Sequence, residues 1–156
     1  MSQSFSEKIK SKINEDLSPT RNLTGIHLKV VAAIAIIWSL FQLWYASPFP
    51  FIFNIGMFKG LPARAIHLGF ALLLAFLIFP ISRGKKTSAF DIFIGIVASF
   101  CCLYIYFFYD QLIDRGGVLL KITLGENINI PIELIIGTIG ILILLEATRR
   151  VIGKPL

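Results

Sequence analysis

The sequence predicts an all-α integral membrane protein: four transmembrane helices, both termini cytoplasmic, and an amphipathic surface helix at the N-terminus. Three observations predict it. Of the 156 residues, 56% are hydrophobic, well above a soluble domain's share. They fall into four blocks, with the polar residues collected between them. The basic residues that give a net charge of +6 flank these blocks. They do not line one face with aromatics interleaved, which excludes nucleic acid as a partner and makes them topology signals. Residues 1–25 form a cytoplasmic surface segment. Residues 26–156 form the membrane domain, with spans near 26–46, 62–80, 89–109 and 131–148.

In the leader, Phe5, Ile9, Ile13 and Leu17 recur every four residues among lysines and acids. That pattern fits a short amphipathic helix on the membrane surface or a frayed tail. The polar leader and the lack of a small-residue cleavage pattern after Ile26 predict that the chain keeps its N-terminus. Asn22 or Thr24 can cap the first span, and Trp44 and Tyr45 mark its far end at interfacial depth. Ser47 to Leu61 is too rich in proline and glycine to span and too apolar for a loop in water, so it is read as interfacial.

Pro62 starts the second span, since a first-turn proline forfeits no helical hydrogen bond. Arg83, Lys85 and Lys86 lie in a short turn, and Thr87 or Ser88 can cap the third span, whose first turn holds Asp91. Asp110 to Ile130 is the longest polar connection, broken at Gly116-Gly117. Within it Val118 to Leu124 reads either as a short strand or as an irregular interfacial piece. Pro131 opens the fourth span. Cys101 and Cys102 are neighbours inside an apolar block and read as small packing residues rather than as a disulfide.

Orientation follows from the basic residues. The leader with Lys29, the 82–88 turn and the C-terminus hold 5, 3 and 3 of them, 11 together; the two opposite connections hold Lys59, Arg64, Arg115 and Lys121, which makes 4. The positive-inside rule then puts both termini in the cytoplasm.

Each span carries a stripe of small or polar residues that can let helices approach closely in lipid: Ala32, Ala35, Ser39 and Ala46; Arg64, His67, Ala71 and Ala75; Asp91, Gly95, Ala98 and Cys102; Glu133, Gly137, Gly140, Leu144 and Ala147. Arg64 and Glu133 each lie about one turn inside the outer end. A lone charge at that depth is costly, so the two are expected to pair, with His67 a packed, hydrogen-bonded histidine one turn deeper. At the inner end Glu146 can reach Arg149 and Arg150 at three and four residues, as a solvated helix end or a contact for a partner subunit.

Catalytic patterns are missing. There is no phosphate-binding glycine loop and no serine–histidine–acid set. His27 and His67 fall at opposite faces and cannot share a metal. No broken spanning helix recurs as a pair, the mark of a substrate site in secondary transporters. The chain is therefore expected to be no enzyme and no self-sufficient transporter, with no cofactor of its own.

The stretches ARAIHLGFALLLAFLIFP (Ala63 to Pro80) and LLEATRRVIGKPL (Leu144 to Leu156), with Tyr109-Asp110 and Arg115-Gly116, resemble the small-subunit portion of tripartite ATP-independent periplasmic (TRAP) transporters. They are most similar to the N-terminal part of fused TAXI-type permeases, over roughly Ile26 to Leu156. The resemblance implies a bacterial or archaeal inner-membrane complex that imports organic or amino acid anions. Its partners would be a large membrane subunit, which moves substrate by a sodium-coupled elevator motion, and a periplasmic substrate-binding protein; membrane lipids surround it. The small subunit would scaffold the large one, with sodium and substrate sites in the large subunit alone. Asp114 and Arg115, on the outer connection, would help dock the binding protein. A chain stopping at Leu156 would be a separate gene product or a fragment of a fused permease. The alternatives are the small subunit of a tripartite tricarboxylate transporter and a membrane anchor or assembly protein unrelated to transport.

Overall fold

The computed structural model describes residues 23–80, 89–124 and 128–152. The amphipathic leader, the 82–88 turn with its Thr87 or Ser88 cap, and Lys154 lie outside the described residues. Among these residues five helices and one hairpin follow in order: α1 (Gly25–Ala46), α2 (Phe49–Phe53), α3 (Gly60–Ile78), α4 (Ala89–Asp114), β1 (Lys121–Leu124), β2 (Ile128–Pro131) and α5 (Ile132–Ile152).

α1, α3 and α4 are long and apolar enough to cross a membrane. α5 has the length, but Glu133, Glu146, Arg149 and Arg150 confine its uncharged run to Leu134–Leu145. That is shorter than the roughly 20 apolar residues a span ordinarily needs.

The core lies between α3 and α4. Phe76, Leu72, Ala98 and Cys102 are buried there, joined by Ala147 of α5. Glycines set the approach. A Cβ on Gly95 would stand 3.2 Å from Leu73 Cδ1, and one on Gly69 would stand 3.4 Å from Cys102 Cβ. Ser99 Oγ donates to Gly69 O across the interface at 3.1 Å and to Gly95 O in its own helix at 3.0 Å. Small residues and a serine hydrogen bond are what close helix packing in lipid requires. The α4 stripe expected from the sequence, Asp91, Gly95, Ala98 and Cys102, is buried throughout. Cys101 and Cys102 are both free thiols.

α1 sits at the edge of this pair. It buries only Val31, with Ile34, Ala35 and Trp38 half-covered against Leu74 and Leu77 of α3. Of the expected α1 stripe only Ala35 joins the contact; Ala32, Ser39 and Ala46 are exposed. Thr24 is the α1 N-cap residue, but its side chain makes no capping hydrogen bond. The interfacial stretch after α1 folds as the short α2 and an aromatic cluster. Trp44 stacks on Phe53 at 6.4 Å, and Phe58 bridges Phe41 and Tyr106.

Two boundaries differ from expectation. α4 runs on past Tyr109 to Asp114, because no breaker occurs before Gly116 and Gly117, whose φ values are +56° and +90°. Beyond the break the chain makes an antiparallel hairpin with Lys121 opposite Pro131 and Leu124 opposite Ile128. The Val118 to Leu124 stretch is thus a strand in its second half, and Pro131 ends β2 instead of opening the helix.

Candidate functional site

Two ionic clusters mark the two ends of the bundle. The first joins the last turn of α5 to the first turn of α4, at the end away from the hairpin. Glu146, Arg149 and Arg150 share a helix at three- and four-residue spacing, so one carboxylate can meet both guanidinium groups. Arg149 binds it bidentately, Nε to Oε2 and Nη2 to Oε1, both at 2.7 Å. Arg150 Nε reaches Oε1 at 2.8 Å.

Arg150 then turns into the bundle. Its Nη1 donates to Asp91 Oδ1 at 2.7 Å and to Phe79 O at 3.3 Å, and its guanidinium carbon lies 4.8 Å from the Phe76 ring centroid. The side chains of Arg150 and Asp91 are 2% and 1% exposed. Charges withdrawn from solvent this far are tolerable only when paired and hydrogen-bonded. The cluster therefore fixes the register of α5 against α3 and α4.

The second cluster lies under the hairpin. Glu133, in the first turn of α5, has a side chain 7% exposed, and its Oε1 meets Arg115 Nη2 at 2.8 Å. Tyr104 OH donates to the same oxygen at 3.3 Å, and the backbone N–H of Leu120 donates to Oε2 at 3.0 Å. Arg115 Nε also donates to Gln111 O at 2.9 Å. One carboxylate thus clasps α4, the hairpin stem and α5. This corrects the expected Arg64–Glu133 pair. Arg64 is exposed and forms no ion pair or hydrogen bond among the described residues. The extension of α4 to Asp114 brings Arg115 over the start of α5, so Glu133 is already neutralised.

His67 is hydrogen-bonded as expected, on its edge towards α1. Its Nδ1 lies 3.4 Å from Trp38 Nε1 and 3.1 Å from Gln42 Nε2. Nearby, Lys59 pairs with Asp110 and lies 5.3 Å from the Tyr109 ring centroid. The hydrogen bond to Asp110 pushes the Lys59 pKa up. Asp114 is exposed, whereas Arg115 is committed to Glu133 and is not free for docking.

Asp91, Tyr104, Trp38 and Gln42 are site residues that the sequence did not single out in these roles. Asp91 carried a usable signal, an acid on a buried stripe at the same level as a cation on the neighbouring antiparallel helix. Among the described residues, no three His, Cys, Asp or Glu side chains come together as a metal ion would require. No protein-family model matches the chain, and no curated protein or solved structure matches it either.

Proposed function

We propose that this chain is the non-catalytic small membrane subunit of a sodium-coupled, binding-protein-dependent secondary transporter of the TRAP type, TAXI-like, for organic or amino acid anions. It scaffolds the large subunit in a prokaryotic inner membrane and offers its hairpin end to the periplasmic binding protein.

One structural observation carries the reading: ion pairs tie the bundle at both ends while its apolar flanks are bare. Leu43, Phe93, Phe100, Ile141 and Leu145 are all at least 60% exposed. A bundle cross-tied at both ends with open apolar faces suits a fixed support beside a larger integral partner. The motif likeness at Ala63 to Pro80 and Leu144 to Leu156 supplies the identity of that partner. In this reading α5 crosses as the fourth span despite its charges. Glu133 is neutralised by Arg115, Glu146 by two arginines and Arg150 by Asp91, which removes most of the cost of placing them near the interfaces.

The experiment is deletion of the gene in its own organism, with uptake measured over a panel of labelled organic and amino acid anions. Sodium-dependent uptake of at least one anion should disappear and return with the wild-type gene. Unchanged uptake across the panel would count against the proposal.

A further inference from the structure

α1 ends at Ala46 and α3 begins at Gly60, and both are long and apolar enough to cross a membrane. The connection between two such spans lies at one membrane surface. No Asp, Glu, Lys or Arg occurs between Lys29 and Lys59, so the chain meets that surface uncharged. Helices that rest on a membrane ordinarily carry a charged face; α2 has none. One side of α2 is taken by its own chain. Phe49 and Phe53, one turn apart, pack on Trp44 of the last turn of α1, with ring centroids 6.3 and 6.4 Å away. Pro50 is buried. Gly56 turns the chain back at a φ of +65°, and a Cβ there would stand 3.1 Å from Trp44 Nε1. α2 is thus fastened beside the end of α1. On its opposite side Phe51 is 72% exposed, with Ile52 next to it.

The backbone says what covers that side. Among acyl chains an N–H group finds no water and must be paired inside the protein. Ser47 N–H donates to Leu43 O at 3.1 Å. Pro48 and Pro50 have no N–H. Phe49 N–H donates to Ser47 Oγ at 3.4 Å, and Phe51 and Ile52 N–H both donate to Pro48 O, at 3.1 and 3.2 Å. The Ser47 hydroxyl proton goes to Trp44 O at 2.8 Å. Every backbone N–H from Ser47 to Ile52 is therefore paired within the chain or absent. The pattern stops after α2: the N–H groups of Ile55 to Phe58 have no hydrogen-bond partner among the described residues. That return needs water, and it runs to Lys59.

We propose that α2 is a half-inserted membrane anchor, with Phe51 and Ile52 among the phospholipid acyl chains of the leaflet in which α1 ends, and with the return to Lys59 at headgroup level. A soluble partner would give the saturated donors of Ser47 to Ile52 no purpose. A partner helix in lipid packs on small residues, and this side of α2 offers Phe and Ile. Trp44 and Tyr45 lie at the same end of α1, at the depth where amphipathic rings settle. The inference needs only that α1 and α3 cross the membrane; it does not depend on the transporter reading.

The test replaces Phe51, and separately Ile52, with photo-crosslinking p-benzoylphenylalanine in the full chain in its native membranes. A third probe at Phe100, exposed in the middle of α4, reports that the chain is inserted. Products are read by mass spectrometry. The probes at 51 and 52 should each gain the mass of one phospholipid, and fragmentation should place the new bond on an acyl chain. Adducts at position 51 formed chiefly with another protein, or with lipid headgroups alone, would overturn the proposal. So would silence at 51 and 52 while position 100 reacts. Silence at all three positions would remove the membrane-crossing helices on which the anchor rests, and the anchor with them.

Discussion

Arg150 and Asp91 stand 59 residues apart in sequence and 2.7 Å apart in the fold. The pair fastens the end of α5 to the start of α4, and both side chains are buried. Arg150 Nη2 is buried without a hydrogen-bond partner, so the pair is held at some cost. Removing one member strips a buried charge of its 2.7 Å partner, although Arg150 keeps Glu146, whereas removing both takes the two buried charges away together. Arg150→Met and Asp91→Leu should each lower unfolding free energy in detergent by about 3–5 kcal/mol. The double variant should be markedly milder than the sum of the two. Strictly additive losses would show that the two groups do not stabilise one another.

Glu133 should couple to Arg115 and not to Arg64. A double-mutant cycle on Glu133→Gln and Arg115→Gln should give an interaction energy of about 0.5–3 kcal/mol, while the cycle with Arg64→Gln should give none. Hydrogen exchange supplies an independent reading. Glu133→Gln should raise exchange at the Leu120 amide, which loses its carboxylate acceptor, while amides in the middle of α4 stay protected. Coupling found only with Arg64 would invalidate the clasp.

Two helical glycines should respond oppositely. A Cβ on Gly95 meets Leu73 and Phe76 at 3.2 and 3.4 Å, but one on Gly137 meets nothing within 4 Å. Gly95→Val should destabilise by about 1–3 kcal/mol through overpacking. Gly137→Ala should be neutral or stabilising by up to about 1 kcal/mol, because alanine loses less backbone freedom in a helix. Thermal unfolding in detergent compares them directly; equal effects would contradict the close α3–α4 approach.

Of the two residues expected to dock the binding protein, Asp114 is exposed while Arg115 is held by Glu133. Asp114→Lys should raise the Kd for the binding protein while leaving isolation of the membrane complex unchanged. Arg115→Glu is expected to damage the clasp itself, so its effects would include loss of stability. Unchanged binding in the Asp114 variant would remove this residue from the docking surface.

How far the sequence was legible depended on the element. The α4 stripe could be read because Asp91, Gly95, Ala98 and Cys102 recur at helical spacing among bulky residues. On α1 the same reasoning found Ala35 but missed the larger residues that pack beside it. When a helix is apolar all round, periodicity cannot say which face packs, and Val31, Ile34 and Trp38 make the contact. The ion pairs divide the same way. Glu146 with Arg149 and Arg150 follows from helical spacing alone. Glu133 with Arg115 depends on where α4 ends, and the aromatic Tyr104, Tyr106 and Tyr109 suggested an end five residues too early. The hairpin was half legible: alternation marked Val118 to Leu124, but Pro131 resembled a helix start because a proline fits an edge strand as well as a first helical turn.

The central claim is that this chain is one fixed part of a larger membrane transporter. Its most direct test is affinity isolation of the tagged full chain from its own membranes in mild detergent, followed by mass spectrometry of everything retained. The account predicts a stable complex with a large multi-spanning permease that a periplasmic binding protein can join. A monodisperse 17.4 kDa chain, isolated under the same conditions with no integral membrane partner, would contradict it.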